Sequence, residues 1–174
     1  MERLTIHGLK YVSGLSLLRQ PGCRGGKVAE LTRRLAGSGI NLVFLDCPVQ
    51  SDQSCTACLC LEQEKAEEAL VIAREIADTH GLPAPEVLSG VAALTIFPLG
   101  QSFSLTARIM ASLAGAGLTP IRLGTSLAAV VTLIYEADLE SALKAIRKGF
   151  NLTGDLSPPD ERIRVVQTSR GLRK

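Results

Sequence analysis

The chain has 174 residues, of which 46% are hydrophobic and 21% are charged, as is usual for a globular protein. The formal net charge of +2 and the absence of Trp give no basis for a nucleic-acid surface, which needs clustered positive charge and stacking rings. The sequence has neither an apolar run long enough to span a membrane nor the apolar segment of a signal peptide. We therefore expect a cytoplasmic protein whose 5 Cys are free thiols.

One stretch of the sequence occurs twice, 78 residues apart. Residues 35–40 read Leu-Ala-Gly-Ser-Gly-Ile, and residues 113–118 read Leu-Ala-Gly-Ala-Gly-Leu. Each copy ends a helical pattern and leads into an apolar strand. An internal repeat decides the architecture, so we expect two successive units of about 80 residues, each strand–helix–strand–strand–helix–strand.

The first half contains a strongly amphipathic helix and, after two strands, a second helix whose first turn is rich in acidic residues. Val28, Leu31 and Leu35 share a face of the first helix, which Gly37 ends. In chain order we predict strands at 4–11 and 14–19, a helix at 26–37, strands at 40–47 and 54–61, a helix at 62–80, a linker at 82–85 and a strand at 86–90.

The second half repeats this pattern. We predict a strand at 91–99, a helix at 103–116, strands at 119–125 and 128–135, a helix at 138–149, a loop at 151–162, a strand at 163–168 and a frayed tail at 169–174. The predicted fold is α+β: two tandem ferredoxin-like units at 12–90 and 91–168, with antiparallel sheets and helices on one face.

Several stretches resemble the ACT family of small-molecule-sensing domains. The closest resemblance is to the paired ACT domains at the C-terminus of aspartate kinase, and it covers the chain from about residue 4 to residue 166. The stretches that carry it are Leu35–Leu42 (the Gly-Ile-Asn signature), Leu4–Leu9, Thr125-Ser126, Glu136–Ile146 and Gly149–Leu152.

The resemblance implies a regulatory protein, not an enzyme, that binds an amino acid of the lysine or threonine class between ACT units and lacks the kinase domain. It also implies that strand 4–11 joins the sheet of the second unit. No cofactor or metal is expected. Because each sheet must cover its second face, we expect a homodimer formed through sheet edges or faces, with a partner enzyme as a further binding partner.

The ligand is expected at the start of the first helix in each unit, where free N–H groups suit a carboxylate. The facing strands are expected to add further polar groups. The candidate ligand-binding residues are Cys23, Arg24, Gly25, Gly26, Lys27, Asp46, Gln101, Ser102, Phe103, Ser104, Leu105, Thr125 and Ser126.

Two alternatives remain open. The turn before the first helix lacks the acidic residue that the family carries there, which favours a ligand-free assembly module that docks to a partner enzyme. The second alternative is a metal or redox sensor that uses Cys47, Cys55, Cys58 and Cys60. Strand alternation places Cys58 and Cys60 on one face and Cys55 on the other, so packing of small apolar side chains is the favoured explanation.

Overall fold

A computed structural model describes residues 4–98, 103–126 and 129–152. These residues form seven strands and four α-helices, and a 3₁₀ turn precedes both α2 and α4. In chain order the elements are β1 (Leu4–Cys23), α1 (Lys27–Gly37), β2 (Leu42–Asp46), β3 (Cys55–Glu62), α2 (Ala66–His80), β4 (Glu86–Pro98), α3 (Phe103–Gly115), β5 (Arg122–Thr125), β6 (Val130–Tyr135), α4 (Leu139–Gly149) and β7 (Phe150–Leu152).

The strands form a single sheet in the order β2-β3-β1-β4-β6-β5, so β2 and β5 are its edges. All neighbours on this path are antiparallel, and β7 adds a short parallel pairing with β1. The predicted α+β class is confirmed. The two predicted sheets are continuous with each other, because β1 and β4 pair along nearly their whole length.

Glycines explain why β1 and β4 are each one long strand, whereas the sequence predicted a break in both. Gly14 and Gly90 have φ of 68° and 70°, and both lie where the register between β1 and β4 shifts. A glycine with positive φ in an antiparallel pair is typical of a β-bulge, which inserts a residue and increases the twist without ending the strand. The prediction took these bulges for strand ends.

The first part of β1 pairs with elements of the second half. Residues 6–12 lie opposite the end of β4, and Leu4–Ile6 run parallel to β7. The loop predicted at 151–162 is therefore wrong at Asn151 and Leu152, which belong to β7. The strand predicted at 163–168 and the tail at 169–174 lie outside the described residues, and the domain boundaries stay predictions.

The helices pack in two pairs on one face of the sheet, over two separate cores. Leu31 and Leu35 anchor α1 as predicted, and Arg34 of α1 pairs with Glu75 of α2. The α1–α2 core contains Leu18, Cys23, Leu31, Leu35, Cys55, Leu59, Leu61, Leu70 and Ile76; the α3–α4 core contains Ile6, Leu9, Leu94, Ile96, Ile109, Leu113, Ile134, Ile146 and Phe150.

A third core lies on the face without helices. This helix-free core consists of Leu15, Leu17, Cys58, Cys60, Val91, Ala93 and Leu133, with Phe44 and Ile121 packed against it. The Phe44 ring of β2 lies so close to Gly124 of β5 that a Cβ at position 124 would be 2.9 Å from it. The sheet therefore curls until its two edge strands touch, and the chain itself buries the helix-free core on the second face. None of the helices in the described ranges has the length and apolarity to cross a membrane.

Candidate functional site

The candidate site in the first half is the turn between β1 and α1. Gly25 has a φ of 55°, and the Lys27 N–H donates to the Arg24 carbonyl over 3.3 Å. Helix α1 then begins after Gly26 with no side-chain cap hydrogen bond. The Lys27 N–H is therefore already used, and the Val28 and Ala29 amides are those of the first turn that remain for an acceptor from outside the helix, as expected for carboxylate binding.

A cluster of three charged or polar side chains lies beside this turn. The Lys27 ammonium is 3.4 Å from Glu30 Oε2 and 2.9 Å from His80 Nε2, and His80 Nε2 is 3.1 Å from the same Glu30 oxygen. Partial desolvation of Glu30 acts to raise its pKa, but Lys27 and His80 outweigh it and hold the pKa below its usual value. Lys27 is thus held between the start of α1 and the end of α2.

A second ion pair ties the turn to the β2–β3 connection. Arg24 Nη2 donates to Asp52 Oδ2 over 2.7 Å, while Asp52 Oδ1 accepts from the backbone N–H and the hydroxyl of Ser54. The Ser54 hydrogen bonds, followed by Arg24, lower the pKa of Asp52 to about 2. The positive charge of Arg24 is therefore partly neutralised from within the chain.

The other candidate residues of the first half lie on opposite sides of the sheet. Cys23 is buried in the α1–α2 core below the turn. Asp46 is paired in register with Cys58 and follows Phe44 by two residues, so it lies on the side of the helix-free core. Helix α1, which carries Lys27, packs on the opposite side of the sheet from Asp46, so the structure does not bring these two residues together.

The candidate residues of the second half lie at different places in the structure. Gln101 and Ser102 lie outside the described residues, and Phe103 is the first residue of α3. Ser104 is exposed, whereas Leu105 is buried in the α3–α4 core. Thr125 ends β5 at the sheet edge, and the Ser126 hydroxyl accepts from the Ala129 N–H and closes the turn to β6. Whether these residues share a ligand stays a prediction.

Sequence reasoning missed Glu30, Asp52 and His80 as neighbours of the turn. The spacing of Lys27 and Glu30, three apart on a helix, was a readable signal for an ion pair. The sequence held no comparable signal for His80 or Asp52, because these contacts connect residues that are 50 and 28 positions apart.

The cysteines divide between two cores. Cys23 and Cys55 are buried and Cys47 partly buried in the α1–α2 core, whereas Cys58 and Cys60 belong to the helix-free core. The four-thiolate set considered from the sequence is thus split by the sheet. Burial raises the pKa of Cys60 to about 12, so it is an inert thiol. Within the described ranges no group of three or more His, Cys, Asp or Glu residues is arranged to hold a metal ion.

Arg122 was also not anticipated. Its Nη2 donates to Cys58 Sγ over 3.4 Å, across the contact between the two halves of the sheet. Its Nε is buried without a hydrogen-bond partner. This guanidinium lies on the same side of the sheet as Asp46, whose register partner is also Cys58.

Comparison with known proteins gives a match at the level of structure only. No protein-family model matches the sequence, and no curated protein matches it.

Solved structures match most of the chain. The ligand-free regulatory subunit of aspartate kinase from Thermus thermophilus is 18% identical with a TM-score of 0.76, over 84% of this chain and 99% of that chain. Aspartate kinase from Synechocystis is 19% identical with a TM-score of 0.81, over 93% of this chain and 29% of that chain. Aspartokinase III of E. coli, in complex with lysine and aspartate, is 19% identical with a TM-score of 0.62, over 86% and 34%. The chain therefore has the fold of the ACT-type regulatory region of aspartate kinases.

Proposed function

We propose that the chain is a non-enzymatic regulatory protein that senses an amino acid. The observation that carries this proposal is the structural match to an aspartate kinase regulatory subunit, which covers 84% of this chain and 99% of that subunit. The uncapped start of α1 agrees with it, since the glycine turn there leaves the Val28 and Ala29 amides for a ligand carboxylate. Binding would shift an equilibrium between two packings of the units by no more than the ligand's differential affinity for them.

The charges around the turn suit a zwitterion. In this proposal the ligand carboxylate contacts the first-turn amides of α1 and the Lys27 ammonium, while Glu30 offers a carboxylate to the ligand ammonium. The structure of E. coli aspartokinase III with lysine makes lysine the first ligand to test, and threonine stays the second. A homodimer in the cytoplasm is the expected setting for this regulation.

The test is a thermal-shift screen of the twenty amino acids. A ligand at 100 times its Kd adds about 2.7 kcal/mol to the stability, which gives a clear rise in melting temperature. We expect lysine or threonine to raise it, and Lys27→Ala to weaken this response. Lys65→Ala is the matched control, because Lys65 forms the same kind of ion pair with Glu68, three residues on, away from the turn. A screen with no response would overturn the proposal.

The second candidate is a ligand-free module that docks to a partner enzyme. One observation favours it: Lys27 and Arg24 already have partners in Glu30, His80 and Asp52, so the turn needs no ligand for charge balance. A flat amino-acid screen, together with co-purification of a kinase by the tagged full chain, would establish this candidate instead.

A further inference from the structure

Three side chains meet where α1 begins and α2 ends, and a single nitrogen takes part in two of their contacts. His80 Nε2 is 2.9 Å from the Lys27 ammonium and 3.1 Å from Glu30 Oε2. The Lys27 ammonium is also 3.4 Å from the same Glu30 oxygen. The three side chains are between 26% and 31% exposed, so the imidazole exchanges protons with solvent.

The two contacts of His80 Nε2 require opposite protonation of that nitrogen. An ammonium has only donors, so Lys27 bonds to Nε2 only through the lone pair of an unprotonated nitrogen. A carboxylate has only acceptors, so Glu30 bonds to Nε2 only when that nitrogen carries a hydrogen. Although partial desolvation acts to raise the pKa of Glu30, Lys27 and His80 hold it below the usual value, so Glu30 is ionised at neutral pH. The two contacts are therefore alternatives.

We propose that His80 is a proton switch that controls whether the Lys27 ammonium is available at the start of α1. When the imidazole is neutral, Nδ1 carries its hydrogen and Lys27 donates to Nε2. When a proton from solvent binds Nε2, that nitrogen donates to Glu30 instead, and repulsion between the two cations moves the Lys27 ammonium off the ring. The inference rests on the proposed function, in which Lys27 contacts the ligand carboxylate.

The switch would make ligand affinity depend on pH. Protonation adds one positive charge beside the start of α1 and releases Lys27 for the ligand carboxylate. Both contacts of Glu30 within the cluster use Oε2, which leaves Oε1 for the ligand ammonium. Histidine side chains ordinarily change charge between about pH 5 and pH 8. We expect lysine to bind about fivefold more tightly at about pH 6 than at about pH 8, the effect of one charge about 4 Å from a carboxylate in water.

The other charged groups around the end of α2 are paired away from His80. The ion pairs on the elements that pack against α2 are Arg24–Asp52, Arg34–Glu75 and Arg19–Glu86. Arg19 is the register partner of Cys58 and therefore lies on the side of the helix-free core, across the sheet from His80. In the described part of the chain, the charged groups that contact the imidazole are thus Lys27 and Glu30.

The first test follows the His80 ring by NMR in the ¹⁵N-labelled full chain, which has only 2 His, so His7→Gln assigns the signals. In alkaline buffer, the ¹H–¹⁵N couplings of the ring should show a hydrogen on Nδ1 and none on Nε2. Lys27→Met removes the ammonium and should move the hydrogen to Nε2, where Glu30 accepts it. Lys65→Met is the matched control, because Lys65 pairs with an acid three residues on at the other end of α2, and it should leave the ring unchanged.

The second test is the affinity for lysine, measured by calorimetry at both pH values. The fivefold difference should be present in the wild type and absent in His80→Gln. A hydrogen on Nε2 of the neutral wild-type ring, a ring unchanged by Lys27→Met, or a lysine affinity that does not vary with pH would each overturn the proposal. The wild-type spectrum needs neither a variant nor a ligand. A chain with the expected ring hydrogen that does not bind lysine would support the switch and overturn the proposed lysine site.

Discussion

At the scale of single residues, the turn around α1 depends on contacts between distant charges. Asp52 is the clearest case, because one carboxylate accepts two hydrogen bonds from Ser54 and pairs with Arg24. These donors favour the charged carboxylate, and its pKa of about 2 in the folded chain lies below the ordinary value of 3.8. A carboxyl group with a lowered folded-state pKa stabilises the fold when ionised and loses that contribution on protonation.

The first prediction concerns Asp52 and pH. Its contribution should be complete above about pH 4 and should disappear as the pH falls towards 2, through the pKa of the folded state. Asp52→Asn should therefore be less stable than the wild type at neutral pH, with a difference that shrinks below pH 4. Urea unfolding over a pH series measures this. Asp78→Asn, which removes one exposed carboxylate of α2, reports the effect of net charge alone. A difference that does not vary with pH would contradict the prediction.

At the scale of elements, the junction of edge strands β2 and β5 determines how far the sheet curls. Gly124 leaves room for the Phe44 ring, and Arg122 of β5 reaches Cys58 of β3 across the same junction. Both contacts bring together strands that are not hydrogen-bonded neighbours in the sheet order. A small residue at position 124 is thus needed for the close approach.

The second prediction is that Gly124→Ala destabilises the fold by about 1–2 kcal/mol, because the added methyl group overpacks the Phe44 ring. Chemical denaturation measures the loss. Gly115→Ala is the control, since nothing lies within 4 Å of a Cβ at the end of α3. Phe44→Leu should reduce the cost of Gly124→Ala, because it shortens the side chain that must move. Equal costs in both backgrounds would mean that the ring is not what limits position 124.

At the scale of the whole molecule, the helix-free core changes the basis for expecting a homodimer. The sequence argument required a second chain to cover the open sheet faces, yet Cys58, Cys60 and Leu133 are fully buried within one chain. Strand β2 touches β5 through the Phe44 ring but is not hydrogen-bonded to it, so among the described residues β2 keeps an unpaired edge. Strand β2 is an edge, and it exposes 42% of Val43 and 47% of Leu45. A second chain is therefore expected to pair there.

The third prediction tests this edge. Leu45→Lys should convert a homodimer into monomers without loss of secondary structure, because a charge on an edge strand opposes pairing with another strand. Sedimentation or light scattering gives the mass, and circular dichroism monitors the fold. Val71→Lys on α2, where the side chain is 51% exposed, is the matched control and should leave the dimer intact. A wild-type monomer, or a dimer unaffected by Leu45→Lys, would exclude pairing through β2.

The sequence by itself determined the α+β class, the repeat and the helices of both halves. Helical periodicity and glycine ends are local signals, so Leu31 and Leu35 could be assigned to a buried face from spacing alone. The amide-rich start of α1 could be located for the same reason, since a glycine turn before an amphipathic helix is readable in a few residues.

Only the tertiary structure decided how these elements meet. It merged two expected sheets through bulges at Gly14 and Gly90, separated Asp46 from Lys27, and placed Cys47 and Cys55 in one core and Cys58 in another. The physical reason is common to all three. The side of a strand that a residue occupies depends on register and bulges, and these are set by pairing between distant segments, which no local pattern contains.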